Sequence, residues 1–354
     1  MHISPWYFHD ESVVGGGERY AQELARAMAE MVPTSLVSFG PRRRSFKIDR
    51  LTVELFPSHP LPWRRELPFS ATFLPLLLRA DVVHCHQLGT PANVLALLVA
   101  RLLRKPRFLT PLGHAPTRME HRLTRVAGIS RLLCISKYSA DHSWYSAPRS
   151  VIYGGVDTRR FVPGKGPRER KVVCVARLMP HKGINYLIEA IDPDIRLELY
   201  GKPYDERYRR DLETLAKGKD VHFYHNASDE EIARAYATSL VAVLPSVHED
   251  MYATKVAEPE LLGLVLLEAM ACGTAVVGTK VTSIPEIVYD GVNGYLVPPN
   301  DANSLRDVLR RLVDNPELAK SLGRTGRTIA CSRFTWNAVS EHCLRAYRTV
   351  DAGS

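Results

Sequence analysis

Short apolar runs alternate along the chain with longer stretches whose apolar residues recur at helical spacing. That alternation is the signature of βαβ units, in which a parallel sheet is covered by helices. In the first half it predicts strands at Thr34–Phe39, Thr52–Phe56, Asp81–His86, Arg107–Pro111 and Arg131–Ser136, with helices over Glu18–Met31, Pro91–Arg104 and Lys137–Tyr145. Tyr153-Gly154-Gly155-Val156-Asp157 ends this half, and Pro163-Gly164-Lys165-Gly166-Pro167 reads as an exposed linker. The pattern then restarts. Strands are expected at Lys171–Arg177, Arg196–Tyr200, Val221–Tyr224, Leu240–Pro245, Ala275–Gly278 and Gly294–Val297. One intervening helix opens with Ser228-Asp229-Glu230-Glu231, a capping-box arrangement. Two final helices, near Pro316–Ser332 and Thr335–Thr349, have no strand after them, so the terminal one is expected to pack on the first domain. The 354 residues therefore divide into Rossmann-like α/β domains at 1–162 and 163–334, followed by a helical tail at 335–354.

Composition narrows the class. Hydrophobic content of 45% and charged content of 24% are those of a globular protein. The opening MHISPWYFHD lacks the basic start and apolar run of a secretory leader, and the apolar stretch from Ala96 to Leu103 is broken by Arg101. None of the six cysteines forms a C-x-x-C pair, so buried free thiols in a reducing cytoplasm are expected rather than disulfides or zinc. The net charge of +9 is uneven: residues 1–165 carry 23 Lys and Arg against 12 Asp and Glu. An anionic partner on that side, or plain solubility charge, would each account for this.

Candidate chemistry is concentrated at predicted strand ends. Gly15-Gly16-Gly17 precedes a helix, where bare backbone N–H groups can approach an anion, or where glycines simply loosen an entry loop. The G-x-G-x-x-G dinucleotide fingerprint is absent. His84 and His86 share one face of a strand. A substrate-cleft wall is the reading favoured over a metal pair, because no further ligand follows at a useful spacing. His114 lies just past another strand, either facing a ligand or serving structure. In the second half a strand runs out into Arg177, and Met179-Pro180-His181-Lys182-Gly183 leads into a helix. Arg177 and Lys182 are then either a clamp for a departing diphosphate or solvated loop cations. Glu260 and Glu268 are eight apart, and Glu268 lies inside an apolar helix, where a carboxylate needs a partner such as a ribose diol. Gly263-Leu264 offers N–H groups at that helix start, and Gly273 closes it.

In their order and spacing, GGGERYAQELARAM, ADVVHCH, VIYGGVDTRRF, VARLMPHKGINYLIEA, LLGLVLLEAMACGTAVVGT, IPEIVYDGVNGYLVPPND and FTWNAVSEHCLRAYR resemble the family-4 retaining glycosyltransferases of the GT-B fold. The resemblance covers nearly the whole chain. It implies two Rossmann-like domains facing each other across a cleft, the first on the acceptor side and the second on the donor side. It also implies that Arg177 and Lys182 hold the diphosphate of a nucleotide sugar and that Glu268 binds its ribose. Glu260 would lie near the anomeric centre and His114 would face the sugar. Gly263 and Leu264 would give backbone contacts, while Gly16 and Gly17 line the cleft from the other domain. One departure stands out. Eleven residues, Asp250 to Glu260, separate Glu249 from Leu261-Leu262-Gly263. Spacing from Ser246 picks Glu249 as the sugar-facing glutamate, whereas Gly263 and Glu268 fix the helix register and pick Glu260. The insertion, with Tyr252 and Lys255, either borders the donor sugar or acceptor or is a loop extension.

The expected reaction is transfer of a hexose, with retention, from a nucleoside-diphosphate sugar to a hydroxyl acceptor, a UDP-sugar being favoured over GDP-mannose. The acceptor class stays open among lipid-linked glycans, polysaccharides and small molecules. No cofactor and no metal is expected, since no paired aspartates suit a donor-bound ion. Nucleic acid is not an expected partner, for nothing resembles a helix-turn-helix or aromatic-interleaved basic strand. A peripheral membrane contact is expected if acceptors are membrane-bound, through Arg42-Arg43-Arg44 and the Trp63-Arg64-Arg65 turn.

Overall fold

A computed structural model describes residues 1–8, 16–59, 61–62, 65, 67–113 and 117–351. The chain forms two compact units, one comprising Met1–Gly155 with Trp336–Ser354 and the other Val156–Thr335.

The first unit is built in the order β1 (His2–Tyr7), α1 (Gly16–Ala29), β2 (Ser35–Gly40), β3 (Arg44–Ile48), β4 (Leu51–Pro57), β5 (Val83–His86), α2 (Pro91–Leu102), β6 (Arg107–Thr110), α3 (Arg118–Ala127), β7 (Arg131–Cys134), α4 (Lys137–Asp141) and β8 (Arg149–Val151). Its eight strands lie in the order β3-β4-β2-β1-β5-β6-β7-β8. All pairings are parallel except β3 with β4, an antiparallel hairpin at the edge. Ile3, Val37, Phe39, Cys85, Leu109 and Leu132 form the centre of the buried apolar cluster on this sheet. Three of the strands, β1, β3 and β8, are absent from the pattern prediction. In β1 the alternation is hidden because His2 and Ser4 are buried alongside Ile3 and because Pro5 interrupts the run. Strand β3, Arg-Ser-Phe-Lys-Ile, is an edge strand whose apolar face is only Phe46 and Ile48, half-buried against the cluster that includes Leu51 and Val53, too short an alternation to read. Helix α3 is also missing from the prediction; its structure is taken up below.

The second unit runs β9 (Glu169–Val175), α5 (Ile184–Ala190), β10 (Arg196–Tyr200), α6 (Glu206–Leu215), β11 (Val221–Tyr224), α7 (Asp229–Thr238), β12 (Ser239–Leu244), α8 (Leu264–Ala271), β13 (Ala275–Thr279), β14 (Gly294–Val297), α9 (Ala302–Val313) and α10 (Pro316–Arg333). Its six strands lie in the order β11-β10-β9-β12-β13-β14, all parallel. This is the doubly wound arrangement, in which the direction of winding reverses between β9 and β12. Ligands of such sheets collect outside the carboxyl ends of the strands at that reversal. The capping box on α7 forms between Ser228 and Glu231.

The final helix, α11 (Trp336–Asp351), belongs to the first unit. Its Trp336 ring meets Tyr20 of α1 edge-on with centroids 5.4 Å apart, and Tyr347 bonds to His84 of β5 at 2.7 Å. The units divide at Gly155, a few residues before the Pro-Gly linker to which the sequence pattern points. Val156 already pairs with Thr335 of the second unit, so the chain up to the linker is held there. Among the described residues, no helix is long and apolar enough to cross a membrane. All six cysteines are free thiols, with only Cys331 reaching partial exposure.

Candidate active site

The carboxyl ends of β9 and β12 bring two segments together. After β9 the chain passes Arg177, makes a short 3-10 turn at Pro180–Lys182 and enters α5 through Gly183. Gly183 has φ 64°, and a Cβ there would lie 2.1 Å from the carbonyl oxygen of Pro245, just past β12. Only glycine permits that approach. The close contact carries Lys182 to the loop that precedes α8.

There the Lys182 Nζ donates to Glu260 Oε2 at 2.9 Å and to the carbonyl oxygen of Pro259 at 2.9 Å. Both side chains are largely withdrawn from solvent. Glu260 Oε1 accepts the N–H of Gly263 at 3.2 Å, and Gly263, at φ 85°, is the N-cap of α8. Burial acts to raise the Glu260 pKa, but the Lys182 ammonium and the N–H groups of Gly263 and Leu261 outweigh it and hold the carboxyl below its usual range. The group is therefore an anion fixed by a cation and a helix start. The carbonyl of Glu260 is in turn held by the hydroxyls of Thr282 and Ser283. His181, between Arg177 and Lys182 in the chain, is pushed down to about 4 by burial and by those two cations, so it is neutral at pH 7.

Arg177 is exposed, with its guanidinium carbon 5.6 Å from the centre of the Tyr204 ring. Glu268 is buried on the second turn of α8. Gly263 and Leu264 stand at the head of the same helix. Gly16 and Gly17 open α1 in the other unit. Among the described residues nothing lies within 4 Å of a Cβ built on Gly16, whereas a Cβ on Gly17 would touch the Trp6 ring at 3.0 Å. His114 and Gly15 lie outside the described residues.

Two family profiles match this chain: "Glycosyl transferases group 1" over residues 156–329 and "Glycosyltransferase Family 4" over residues 14–160. The chain belongs to the group 1, family 4 glycosyltransferases. It is 31% identical over 266 residues to an MMP alpha-(1->4)-mannosyltransferase of Mycolicibacterium hassiacum, a match covering 72% of this chain and 61% of that protein. It is 33% identical over 211 residues to a GDP-mannose-dependent phosphatidylinositol monomannoside mannosyltransferase of Mycolicibacterium smegmatis, covering 54% of each. The matches thus span between half and two thirds of those relatives. Among solved structures it resembles Anabaena HepE in complex with UDP and glucose, with TM-score 0.76, 19% identity and coverage of 99% of this chain and 100% of that one. The fold is GT-B.

In this family member the insertion is a folded extension of the second unit. Asp250 Oδ1 accepts the N–H groups of Tyr252 and Thr254 at 2.9 and 3.0 Å, closing a turn in which Glu249 pairs with Lys255. Tyr252 is held by the Asp211 carboxylate of α6 and lies under the Arg207 guanidinium at 4.1 Å. The Glu249 side chain is half exposed, with Lys255 3.8 Å away. Of the two glutamates the sequence leaves in competition, Glu260 is thus the one bonded to Lys182.

The histidines of β5 require a correction. His84 and His86 are fully buried and form no open wall. His84 bonds to Tyr347 Oη and Thr110 Oγ1, both at 2.7 Å, and His86 Nε2 shares a 2.9 Å hydrogen bond with Nδ1 of His2. His2, from β1, is a third imidazole that spacing along β5 could not reveal, and the three rings offer nitrogens within 4.8 Å of one another. Both His84 nitrogens are already engaged, so His84 fastens α11 to the sheet, beside a separate hydrogen bond between His2 and His86. Burial lowers the pKa of all three, His86 to about 3, and they are neutral. Sequence reasoning also passed over Thr282 and Ser283; both lie far from Glu260 in the chain and carry no motif.

Proposed function

We propose that this chain transfers a hexose, with retention of anomeric configuration, from a nucleoside-diphosphate sugar to a hydroxyl acceptor. The bond from C1 of the sugar to the diphosphate breaks, and its electron pair leaves with the diphosphate. A bond from C1 to the acceptor oxygen forms, and the acceptor proton is released. The observation that carries the reading is the Lys182–Glu260 pair at the winding reversal of a doubly wound sheet, inside the segment that matches the group 1 profile. A diphosphate arriving there finds a preorganised ammonium that needs little rearrangement to meet it. Arg177 adds a second, solvent-facing cation at the same strand end, so fixed side-chain charge does the work a divalent ion does elsewhere. Glu260 faces the sugar, Glu268 takes the ribose hydroxyls, and the head of α8 at Gly263 and Leu264 meets the phosphate, the Gly263 N–H exchanging Glu260 Oε1 for a phosphate oxygen when the donor arrives.

A UDP-sugar is the donor taken first. GDP-mannose is the second reading, favoured by the mannosyltransferase relatives, one of them GDP-mannose-dependent. A ligand that binds only the native protein raises its stability by about 2.7 kcal/mol at a hundred times its Kd. Thermal shifts with UDP, GDP and their sugars should single out one base, and that donor should then release its nucleoside diphosphate on turnover. If neither nucleotide shifts the melting point, or if sugar phosphate is released at the expense of inorganic phosphate, the chain is no nucleotide-sugar transferase.

A further inference from the structure

Helix α3 carries three parallel stripes, each spaced i, i+4, i+7 or its near equivalent, and only one of them packs inward. Glu120, Thr124 and Ala127 are buried. Met119, Leu123 and Val126 point to solvent with 55%, 36% and 56% of their surface exposed. Arg118, Arg122 and Arg125 form the third stripe and are also exposed. An isolated exposed Leu means nothing, but an apolar stripe beside a basic one on a single helix is a surface with a partner. The helix exposes no carboxylate: its one acid, Glu120, is buried and closes a capping box by accepting the N–H of Thr117 at 2.7 Å.

Neighbouring elements extend the same chemistry. Trp144 is 46% exposed and rests edge-on against His121 of α3, with ring centroids 3.9 Å apart. At the other end the Arg101 guanidinium donates to the carbonyl of Val126 at 2.9 Å, tying the end of α2 to α3. Beside Arg101 in the chain is Leu102, 82% exposed, followed by exposed Arg104.

We infer that α3 is a membrane-docking surface, lying in the plane of an anionic bilayer with its arginines at the phosphates and Met119, Leu123 and Val126 in the acyl boundary. Charge complementarity selects this occupant. A second copy related by a two-fold axis would set arginine against arginine. Nucleic acid would satisfy the arginines and leave the aliphatic stripe in water. An interfacial helix needs both faces at once, together with an amphipathic aromatic at headgroup level, the place of Trp144. This surface is separate from the basic one read from sequence. Arg43 is committed to Glu54 at 2.5 Å and to the Phe56 ring at 4.0 Å, Arg44 leans on Phe46, and Trp63 and Arg64 lie outside the described residues. The proposal rests on the surface alone and not on the transfer reaction.

The test is co-sedimentation of the full chain with vesicles of phosphatidylcholine, or of equal parts phosphatidylcholine and phosphatidylglycerol. Binding to the anionic vesicles should exceed binding to neutral ones by at least about tenfold at low salt and fall as salt rises. Two separate variants, Arg118→Ser with Arg122→Ser and Arg125→Ser, and Met119→Ser with Leu123→Ser and Val126→Ser, should each lose that excess with an unchanged melting point. In the unaltered protein, lipids brominated in the acyl chain should quench tryptophan fluorescence, and Trp144→Phe should abolish that quenching. Equal recovery with both vesicle types overturns the proposal. So does an aliphatic variant that binds normally, which would leave only phosphate attraction. A dimer in the unaltered protein that the aliphatic variant disperses would make the stripe an interface between copies, and equally overturns it.

Discussion

Each of the two sheets reverses its winding once, and each places titratable groups at the reversal, but the groups are treated in opposite ways. In the first unit His2 of β1 and His84 of β5 are register partners on neighbouring strands, inside the sheet. In the second unit Lys182 and Glu260 lie beyond the carboxyl ends of β9 and β12, outside it. Inside the sheet no carboxylate among the described residues faces the imidazoles, so burial decides and they stay neutral. Beyond the strand ends, a cation, an anion and the start of α8 meet, and the charges survive burial because each has a partner. The same topological position thus yields a structural clasp in one unit and a buried charged pair in the other. What separates them is a few residues of displacement along the strand axis.

The comparison breaks most visibly at the cations. Arg177→Ala and Lys182→Ala should each lower turnover ~10²–10³-fold, the loss expected when a fixed donor to the leaving group is removed. They should differ in stability. Arg177 is exposed and its removal should leave the melting point unchanged. Lys182→Ala strands a buried carboxylate, which costs about 3–5 kcal/mol in comparable pairs. Turnover per folded molecule, with melting curves alongside, separates the two effects. Near-normal turnover in both variants would remove the diphosphate site from this strand end.

The glutamates sharpen the register. Glu268→Ala should weaken binding of the free nucleoside diphosphate about ten- to a hundredfold, as loss of hydrogen bonds to a charged group of roughly 1.5–3 kcal/mol requires. Glu260→Gln, which keeps the shape beside Lys182, should bind the nucleoside diphosphate nearly normally and turn over slowly, because its contact lies at the reacting centre. Glu249→Ala should change neither by more than a few-fold. Calorimetric titration with rates for the three variants checks the assignment, and collapse of turnover in the Glu249 variant alone would transfer the role to the insertion.

The alternation of apolar runs made the two sheets legible, and the order of motifs made the family legible. Strand β1 was not, because a strand buried on both faces with Pro5 and two buried polar residues has no period to read. Helix α3 was not, since its apolar stripe serves solvent and not a core. At the site, the register of α8 singles out Glu260, and the end of β9 singles out Lys182. That the two bond to each other across 78 positions is a property of strand order, which periodicity does not encode. His2 escaped for the same reason: it reaches His86 from 84 positions away.

The neutral cluster has its own signature in pH. A histidine whose folded pKa is depressed binds a proton more readily when unfolded, so the native state loses stability as pH falls from about 6.5 towards the folded values, near 3 for His86. Each such histidine contributes a slope of about 1.4 kcal/mol per pH unit across its window. His86→Gln should flatten the decline between about pH 6 and about pH 4, seen in urea melts across that range. An unchanged slope would mean the imidazoles are already charged in the native protein.

The smallest expected effect tests both reversals together. Exhaustive EDTA treatment should leave turnover unchanged if, as proposed, Lys182 and Arg177 meet the charge on the departing diphosphate; the nearby carboxylate, Glu260, is already bonded to the lysine and not open to an ion. It should also leave the melting point unchanged. A metal held by His2, His84 and His86 would take one nitrogen of His84 and so displace its bond to Tyr347 or to Thr110, worth about 1 kcal/mol net and buried, so that losing it leaves a hydroxyl unsatisfied. Loss of activity restored by magnesium or manganese would show that side-chain charge alone does not carry the leaving group. A fall in melting temperature reversed by zinc would instead turn the clasp into a metal site, and the contrast between the two units would have to be drawn on ligands and not on charge.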